Sequence, residues 1–176
     1  QLAKRAEEEG YDVAIASSDK DFFQLINDRV KMLNPADKSG EPMDADAVEA
    51  KTGVRPHQIV DWLSLVGDAA DNIPGVPGIG VKTAASLLNE FGSVDGIYER
   101  LVEVKRDKQR ESLAIFESNV RRNQKLVALK FNLPMEPELD SLRKGFEDTN
   151  KLNKLYKKWG FKTSLTNFKK SNNKYK

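Results

Sequence analysis

The order of apolar and polar segments predicts alternating helices and strands along the first third of the chain. A short amphipathic helix over residues 2–9 ends at Gly10, a residue type common just past helix ends. The apolar runs 11–16 and 30–33 each predict a strand, the first of them largely buried. A further helix begins between them, at residues 19–21. This helix–strand–helix–strand order favours an α/β layer with a parallel sheet.

The remainder of the chain is predicted to be mainly helical. A polar loop over 34–43 is followed by predicted helices at 44–51, 57–66, 84–91, 105–128 and around 152–159. Trp62 and Trp159 lie at the apolar spacing of their helices, which predicts that both pack in the core. Beyond residue 163 the chain is polar and basic, and we expect it to be disordered there.

Composition narrows the classes of protein that fit. The 176 residues are 39% hydrophobic and 32% charged, and 29 basic against 27 acidic side chains leave a formal charge of +2. This near balance excludes a bulk polycation but not a local basic patch. The chain has no cysteine and only one histidine, His57. Disulfide scaffolds, Cys-ligated zinc, iron–sulfur clusters and cysteine nucleophiles are therefore excluded.

The sequence carries no recognisable membrane or export signal. No apolar run approaches the ~20 residues needed to span a bilayer, and no signal peptide is visible. We therefore expect a soluble cytoplasmic protein. The chain starts at Gln1, inside an amphipathic helix pattern and without an initiator Met. Because the predicted α/β layer is also too small for a whole sheet domain, we expect a fragment of a longer protein.

A first pair of carboxylates follows the first predicted strand. Asp19 and Asp21 stand in the segment Ser18-Asp19-Lys20-Asp21, at the carboxyl end of that strand. Functional sites of open α/β sheets gather at this end, and two carboxylates on one turn can face the same crevice. The alternative is a helix N-cap, where aspartate is favoured by the free amide groups and the helix dipole.

A second pair lies in the segment 67–72, Gly-Asp-Ala-Ala-Asp-Asn. A spacing of three residues places Asp68 and Asp71 on one side of a helical turn. Paired carboxylates without His or Cys suit a hard cation with oxygen ligands, Mg²⁺ or Mn²⁺. The alternative is turn chemistry alone, because Asp and Asn are frequent in turns.

The segment that follows is rich in glycine and proline. Four glycines and two prolines stand in the fourteen residues 67–80, and a predicted helix comes directly after them. The amide groups of such a hairpin and of the following helix end form an anion site, to which Lys82 adds charge and Thr83 a hydroxyl. This helix–hairpin–helix pattern favours a phosphate backbone over bases, and the alternative is a tight turn without ligand. A nucleotide P-loop does not fit, because GxxxxGK[ST] is absent.

Three segments in this order resemble the 5′-nuclease family, which includes the 5′→3′ exonuclease domain of bacterial DNA polymerase I and the flap endonucleases. They read SSDKDFFQL, GDAADNIPGVPGIGVKTAASLL and FGSVDGIYE, and the similarity runs from residue 1 to about 165. The resemblance implies an α/β fold, mainly helical here, with a partial PIN-like nuclease core and a helix–three-turn–helix DNA-binding region. We expect the core at 1–66, the DNA-binding and helical region at 67–165, and a basic tail at 166–176.

The resemblance also implies roles for individual residues. The catalytic and metal-binding carboxylates are Asp19, Asp21, Asp68 and Asp71. They would serve two divalent ions, Mg²⁺ or Mn²⁺, in the family's mechanism. The DNA-binding positions are Gly75, Gly78, Gly80, Lys82 and Thr83. The carbonyls of Val76 and Ile79 are expected to hold a monovalent cation, K⁺.

The implied function is that of a metal-dependent hydrolase of DNA. A structure-specific 5′→3′ exonuclease and flap endonuclease would act on duplex with a 5′ flap or 5′ end, in DNA replication and repair. We expect a bacterial, nucleoid-associated monomer without membrane contact or small-molecule cofactor. The family's remaining acidic residues and its arch would precede Gln1, so the fragment is expected to hold about half of the active site.

Two other classes of function stay open. A non-catalytic helix–hairpin–helix module could bind duplex DNA, although carboxylates beside such a surface would repel DNA unless metal ions neutralised them. A structural domain without nucleic acid is the third possibility. Basic residues on the long helix could extend a duplex track or form a solvated face; these are Arg106, Lys108, Arg110, Arg121 and Arg122.

Overall fold

Helices predominate in the computed structural model, which describes residues 1–131, 133–134, 138–146 and 148–173. The α-helices are α1 (Leu2–Glu8), α2 (Ala45–Thr52), α3 (Ile59–Val66), α4 (Val81–Phe91), α5 (Val94–Glu99), α6 (Asp107–Val127), α7 (Thr149–Lys158) and α8 (Lys162–Asn173). The strands are β1 (Val13–Ala16), β2 (Val30–Leu33), β3 (Gly67–Asp68) and β4 (Ile73–Pro74). Short 3₁₀ helices span Lys20–Leu25, Pro56–Gln58, Leu101–Glu103 and Leu139–Leu142.

The chain forms two compact units, Gln1–Met135 and Glu136–Lys176. The predicted functional division at residue 66 falls inside the first unit. None of the helices in the described part has both the length and the apolar content to cross a membrane.

Strands β1 and β2 form the predicted parallel pair, with Val13 opposite Val30 and Ala16 opposite Leu33. The expectation that the first strand is largely buried is wrong. Its residues alternate between half-buried and exposed, and Ala14 is on the exposed side. The period of two in a strand allows this pattern, because one face packs inward while the other faces solvent.

The core of the first unit lies around α3, which packs against both α4 and α6. Trp62 is 8% exposed, and its indole N–H donates to the carbonyl of Val81 at 3.3 Å. The prediction that this tryptophan packs in the core is confirmed. Asn123 of α6 is buried, and its amide donates to the carbonyls of Ser64 (3.1 Å) and Pro74 (2.8 Å). This side chain therefore joins α6 to the end of α3 and to β4.

The second unit pairs α7 with α8. The ring of Tyr156 lies edge-on to Phe168 at 6.0 Å and contacts Phe161 at 6.4 Å. Trp159 is 57% exposed, so its predicted burial in the core is wrong. It ends α7 as the C-cap residue and contacts the exposed ring of Phe161.

The expected disordered tail also differs from the structure. Helix α8 runs from Lys162 through Asn173, so residues 166–173 are helical. Leu165 and Phe168 are partly buried and three residues apart, which gives this polar segment an apolar stripe on one side. The remaining part of the expected tail, residues 174–176, lies outside the described residues.

Candidate functional site

The two predicted carboxylate pairs come from separate elements that meet within the first unit. Asp19 and Asp21 follow β1 and begin the 3₁₀ helix Lys20–Leu25. Asp68 ends β3, directly after α3, and Asp71 lies in the turn between β3 and β4. The ion pair between Lys20 and Asp68 brings these two segments together.

Asp19 has the capping role that was the alternative to a functional one. Its carboxylate accepts the backbone N–H of Asp21 at 3.0 Å, and its backbone is extended. This cap begins a short 3₁₀ helix, because the i+2 amide is bound in a tight turn. The cap orients the Asp21 backbone, so the capping and site roles of Asp19 are compatible.

The carboxyl of Asp21 lies within reach of the charges of the other three aspartates. Burial raises the pKa of its carboxyl, and the charges of Asp19, Asp68 and Asp71 raise it further, while Lys20 lowers it. One oxygen, Oδ1, is buried and has no hydrogen-bond partner among the described residues. In this position the carboxyl is stabilised either by a bound cation, which compensates its charge, or by protonation, which removes the charge.

Asp68 is the buried member, 5% exposed. Its Oδ1 accepts from the Nζ of Lys20 at 2.9 Å and from the backbone N–H of Ala70 at 3.0 Å. Burial by itself would raise the pKa of Asp68, but these two donors and the amide of Asp71 lower it overall. Asp68 is therefore ionised at neutral pH and held in one orientation.

The donor set fits part of a divalent-cation site. All four side chains are carboxylates, the ligands that Mg²⁺ and Mn²⁺ prefer, and the orphaned Oδ1 of Asp21 is a buried acceptor suited to a cation. Across the described ranges, however, no three acidic or histidine side chains lie close enough together to enclose an ion. The cluster is open, and Lys20 occupies one of its oxygens.

The glycine-rich segment forms a compact hairpin between α3 and α4. Strands β3 and β4 pair antiparallel, and the N–H of Val76 donates to the carbonyl of Leu65 at 2.8 Å. The N–H of Ile79 donates to the carbonyl of Val76 at 3.0 Å, and both side chains are buried. Gly78 takes the left-handed conformation, with φ of 80°.

The outer side of this hairpin is open to a ligand. Gly78, Gly80 and Lys82 are exposed, and Thr83 is half-buried. Gly80 precedes α4 without a side-chain cap, so the first amides of that 11-residue helix have no side-chain acceptor at the N-cap. Helix α6 contacts the hairpin, since the hydroxyl of Ser112 donates to the carbonyl of Pro77 at 2.7 Å.

The basic residues of the long helix divide into two groups. Arg110 pairs with Asp107 and donates to the carbonyl of Val104, and Arg121 pairs with Asp95 and lies over the ring of Tyr98. Arg106 and Lys108 line a groove with Pro77 and Gly78 of the hairpin, and the described residues offer neither of them an ion pair. Arg122 is exposed beside Asn123.

Sequence reasoning missed two side chains that shape the site. The Lys20–Asp68 ion pair joins the two carboxylate segments, and its only sequence signal is a lysine placed between two aspartates. Gln24 donates to the carbonyls of Asp21 (2.8 Å) and Val127 (3.1 Å) and accepts from the N–H of Leu129 at 3.0 Å. It thereby fixes the acidic 3₁₀ helix to the end of α6.

Two family models divide the chain between them. Residues 1–53 match the 5′-3′ exonuclease N-terminal resolvase-like domain, and residues 54–170 match the 5′-3′ exonuclease C-terminal SAM fold. The chain belongs to the 5′-3′ exonuclease family. The predicted fold class, a PIN-like nuclease core joined to a helical region, is confirmed.

Curated relatives of this exonuclease-family chain are bacterial DNA polymerases I. The enzyme of Bacillus caldotenax is 40% identical over 93% of this chain and 19% of its own length. The thermostable DNA polymerase I of Thermus thermophilus is 42% identical over 78% of this chain and 16% of its own length. The chain thus spans about a fifth of the length of these relatives.

Solved structures of the bacteriophage T5 5′-exonuclease share the fold of this family member. A form with bound divalent zinc ions is 28% identical, with a TM-score of 0.63, over 72% of this chain and 47% of that chain. The T5 flap endonuclease in a pseudo-enzyme–product complex with DNA and metal ions is 26% identical, with the same TM-score and the same coverage.

The surroundings of Asp21 give the first testable prediction for this exonuclease-family site. Without metal at pH 7, Asp21→Asn should raise the midpoint of thermal unfolding, because it removes a repelled, partly buried carboxylate. The pKa of Asp21 is raised in the fold. The ionised Asp21 carboxylate therefore destabilises the fold fully at pH values above the raised pKa. This destabilisation disappears as the pH falls towards the pKa that Asp21 has in the unfolded chain.

Thermal unfolding in EDTA across a pH series measures this effect. The gain from Asp21→Asn should shrink as the pH falls through the raised pKa, because the wild-type carboxyl becomes protonated there. Asp12→Asn, an exposed position next to β1, is the matched control and should change the midpoint little. A loss of stability in Asp21→Asn at pH 7 would contradict the description of this site.

Proposed function

We propose that this chain supplies metal-binding carboxylates and the duplex-binding hairpin of a structure-specific 5′→3′ exonuclease and flap endonuclease. One observation carries the proposal. The carboxyl of Asp21 is partly buried, has an oxygen to which the described residues offer no hydrogen bond, and feels the charges of three further aspartates. These carboxylates would repel a phosphate on the neighbouring hairpin unless bound cations neutralised their charge. The arrangement therefore suits a site in which cations and phosphate bind together.

The residues that would hold the ions are Asp19, Asp21, Asp68 and Asp71. When bound, divalent ions supply a water of lowered pKa and stabilise the leaving oxygen of a phosphodiester. We propose Mg²⁺ or Mn²⁺, because carboxylates without histidine or cysteine suit a hard cation, and we propose two ions because the resemblance to the 5′-nuclease family implies them. Within the chain, Asp68 presents a fixed, ionised carboxylate, and the Asp19 cap together with Gln24 holds the backbone of Asp21.

The hairpin is proposed to hold duplex DNA by its backbone. Small residues at Gly75, Gly78 and Gly80 allow a phosphate to approach the main chain, and the open start of α4 attracts its charge. Lys82 and Thr83 add an ammonium and a hydroxyl. The carbonyls of Val76 and Ile79 would hold a K⁺ ion, whose positive charge would favour a phosphate of the DNA backbone without reading bases.

The long helix extends this track through Arg106 and Lys108. Both line the groove beside Pro77 and Gly78 and have no carboxylate partner among the described residues. Arg110 and Arg121 are engaged in ion pairs, so we assign them a structural role. The ion pairs of Arg110 and Arg121 support a duplex track through Arg106 and Lys108 alone.

Salt dependence of duplex binding tests this division. The pair Lys82→Gln Arg106→Gln should reduce the slope of log K against log salt by about 2, because each phosphate contact contributes about 0.9. Arg121→Gln, on the same helix but paired with Asp95, is the control and should leave the slope nearly unchanged. If wild type, the double variant and Arg121→Gln gave equal slopes, Lys82 and Arg106 would not contact the phosphates of the duplex.

A second candidate function is a non-catalytic duplex-binding module. It is favoured by the observation that no three acidic side chains in the described part of the chain lie close enough to enclose an ion. On this interpretation the hairpin binds DNA as above, while the carboxylates of this chain do not complete a reactive site.

Cleavage of a labelled 5′-flap duplex distinguishes the two functions. On the nuclease proposal the chain binds Mg²⁺ through Asp68 and Asp71, and any cleavage requires Mg²⁺, leaves a 5′-phosphate and a 3′-hydroxyl, and is lost in Asp68→Asn Asp71→Asn. Salt-sensitive duplex binding that needs Lys82, with neither cleavage nor Mg²⁺ binding through these carboxylates, is the result expected of the binding module. Cleavage that persists in EDTA, or in the double variant, contradicts the metal-dependent site proposed here.

A further inference from the structure

Lys20 holds the two carboxylate segments together. Its Nζ lies 2.9 Å from Oδ1 of Asp68, and the Asp68 side chain is 6% exposed whereas that of Lys20 is 40% exposed. Lys20 stands in sequence between Asp19 and Asp21, yet its ammonium reaches across to β3. The pair is therefore a partly buried tertiary contact, not an exposed ion pair of little energetic value.

The same ammonium is the cation that acts on this acidic cluster. Burial and three groups, Asp19, Asp68 and Asp71, raise the pKa of Asp21, whereas Lys20 lowers it. A single positive charge is thus set against four carboxylates. It donates to Asp68, whereas Oδ1 of Asp21 has no partner in the described part of the chain, so the negative charge is only partly compensated.

We infer that Lys20 is an internal counter-ion of the metal-free site, which occupies the Asp68 oxygen and leaves it when a divalent ion binds. This inference rests on the proposed metal-dependent function and adds a competitor within the chain. The ammonium is compact and can donate to Asp68, which keeps the two segments together without metal. A divalent ion carries twice the charge and takes several oxygen ligands at once.

The exchange explains why the described carboxylates do not form an enclosed cluster. While Oδ1 of Asp68 is bound to Lys20 and to the N–H of Ala70, it is held towards those donors. When Lys20 leaves, this oxygen can bind a cation. The N–H of Ala70 still donates to it, so the orientation of the Asp68 side chain is kept. The alternative is a permanent structural ion pair, which would stay intact when metal binds.

Direct observation of lysine ammonium signals by ¹⁵N NMR tests the exchange in the full chain. Lys20→Met identifies the Lys20 signal by its disappearance. In EDTA we expect a hydrogen-bonded signal from Lys20, and saturation with Mg²⁺ should move it to the position of a solvated lysine or broaden it away. The ammonium of Lys105, which pairs with Glu90 at 3.5 Å on the surface, is the internal control and should stay unchanged.

Metal affinity gives an independent readout. Mg²⁺ titration by calorimetry should show binding to Lys20→Met about tenfold tighter than to wild type, the equivalent of one charge-assisted hydrogen bond. Lys20→Arg keeps a donor for Asp68 and should remain near the wild-type affinity. In EDTA, Lys20→Met should unfold at a lower temperature than wild type, and Mg²⁺ should abolish this difference.

The outcomes separate this inference from the proposed function. If Mg²⁺ binds, shifts the Asp21 amide and leaves the Lys20 ammonium signal unchanged, the ion pair is structural and the counter-ion inference is wrong, while the metal site stands. If neither wild type nor Lys20→Met binds Mg²⁺ through Asp21 and Asp68, the inference and the metal-dependent function both fail.

Discussion

Gly75→Ala should destabilise the chain by about 3 kcal/mol or more, because the added methyl group has no space. A Cβ at this position would lie 2.1 Å from the carbonyl oxygen of Val66 and 2.7 Å from that of Leu65. Both atoms belong to the backbone at the end of α3, so no side chain can rotate aside. Relief requires β4 to move away and the bond from the N–H of Val76 to Leu65 to break.

Urea unfolding of Gly75→Ala beside Gly80→Ala measures this effect. Gly80 has φ of −90° and no atom within 4 Å of an added Cβ, so its variant should lie within about 1 kcal/mol of wild type. Because Gly75 lies in the hairpin that is proposed to hold duplex DNA, Gly75→Ala should also weaken duplex binding. A Gly75→Ala protein as stable as Gly80→Ala would show that the hairpin is packed differently from this description.

Asp68→Asn should have the largest effect on metal binding of the four single substitutions. Asp68 is buried and fixed by two donors, so its carboxylate is the best-oriented candidate ligand. Loss of a residue that only hydrogen-bonds to a metal ligand lowers metal affinity by about 10–100-fold. Because Asp68 is proposed as a ligand itself, we expect Asp68→Asn to lower Mg²⁺ affinity by at least about a hundredfold. The substitution also leaves the charge of Lys20 uncompensated, which opposes a cation further.

Asp19→Asn is the matched comparison. Asp19 is exposed, and its Oδ1 already accepts the N–H of Asp21, a bond that asparagine can keep. Its effect on Mg²⁺ affinity should therefore be clearly smaller. Calorimetric titration of both variants checks the order, and equal affinities for Asp68→Asn and wild type would exclude Asp68 as a ligand.

Features fixed by local rules could be predicted from the sequence. Asp44 and Ser93 cap their helices, each accepting the backbone N–H three residues on, and the bounds of β2 agree with the apolar run. Burial was harder to predict because it depends on what packs against a residue. Trp62 and Trp159 share the same helical spacing, but only Trp62 meets the core.

The candidate site shows the same distinction. The spacing of the aspartates and the glycine-rich hairpin could be recognised within short segments. The contact between Lys20 and Asp68 joins residues 48 positions apart in the sequence, and the position of Lys20 between two aspartates does not indicate Asp68 as its partner. Likewise, the pairing of Arg121 with Asp95 depends on the packing of α6 against α5, so the sequence alone could not separate Arg121 from Arg106.

Paramagnetic mapping with Mn²⁺ tests most directly whether these four carboxylates form one cation site. In the ¹H–¹⁵N spectrum of the labelled chain, substoichiometric Mn²⁺ should first broaden the amides of residues 19–21 and 68–71. The double variant Asp21→Asn Asp68→Asn should lose this selective broadening. Broadening that is spread over exposed acidic residues such as Glu9, or that is identical in the double variant, would contradict the account.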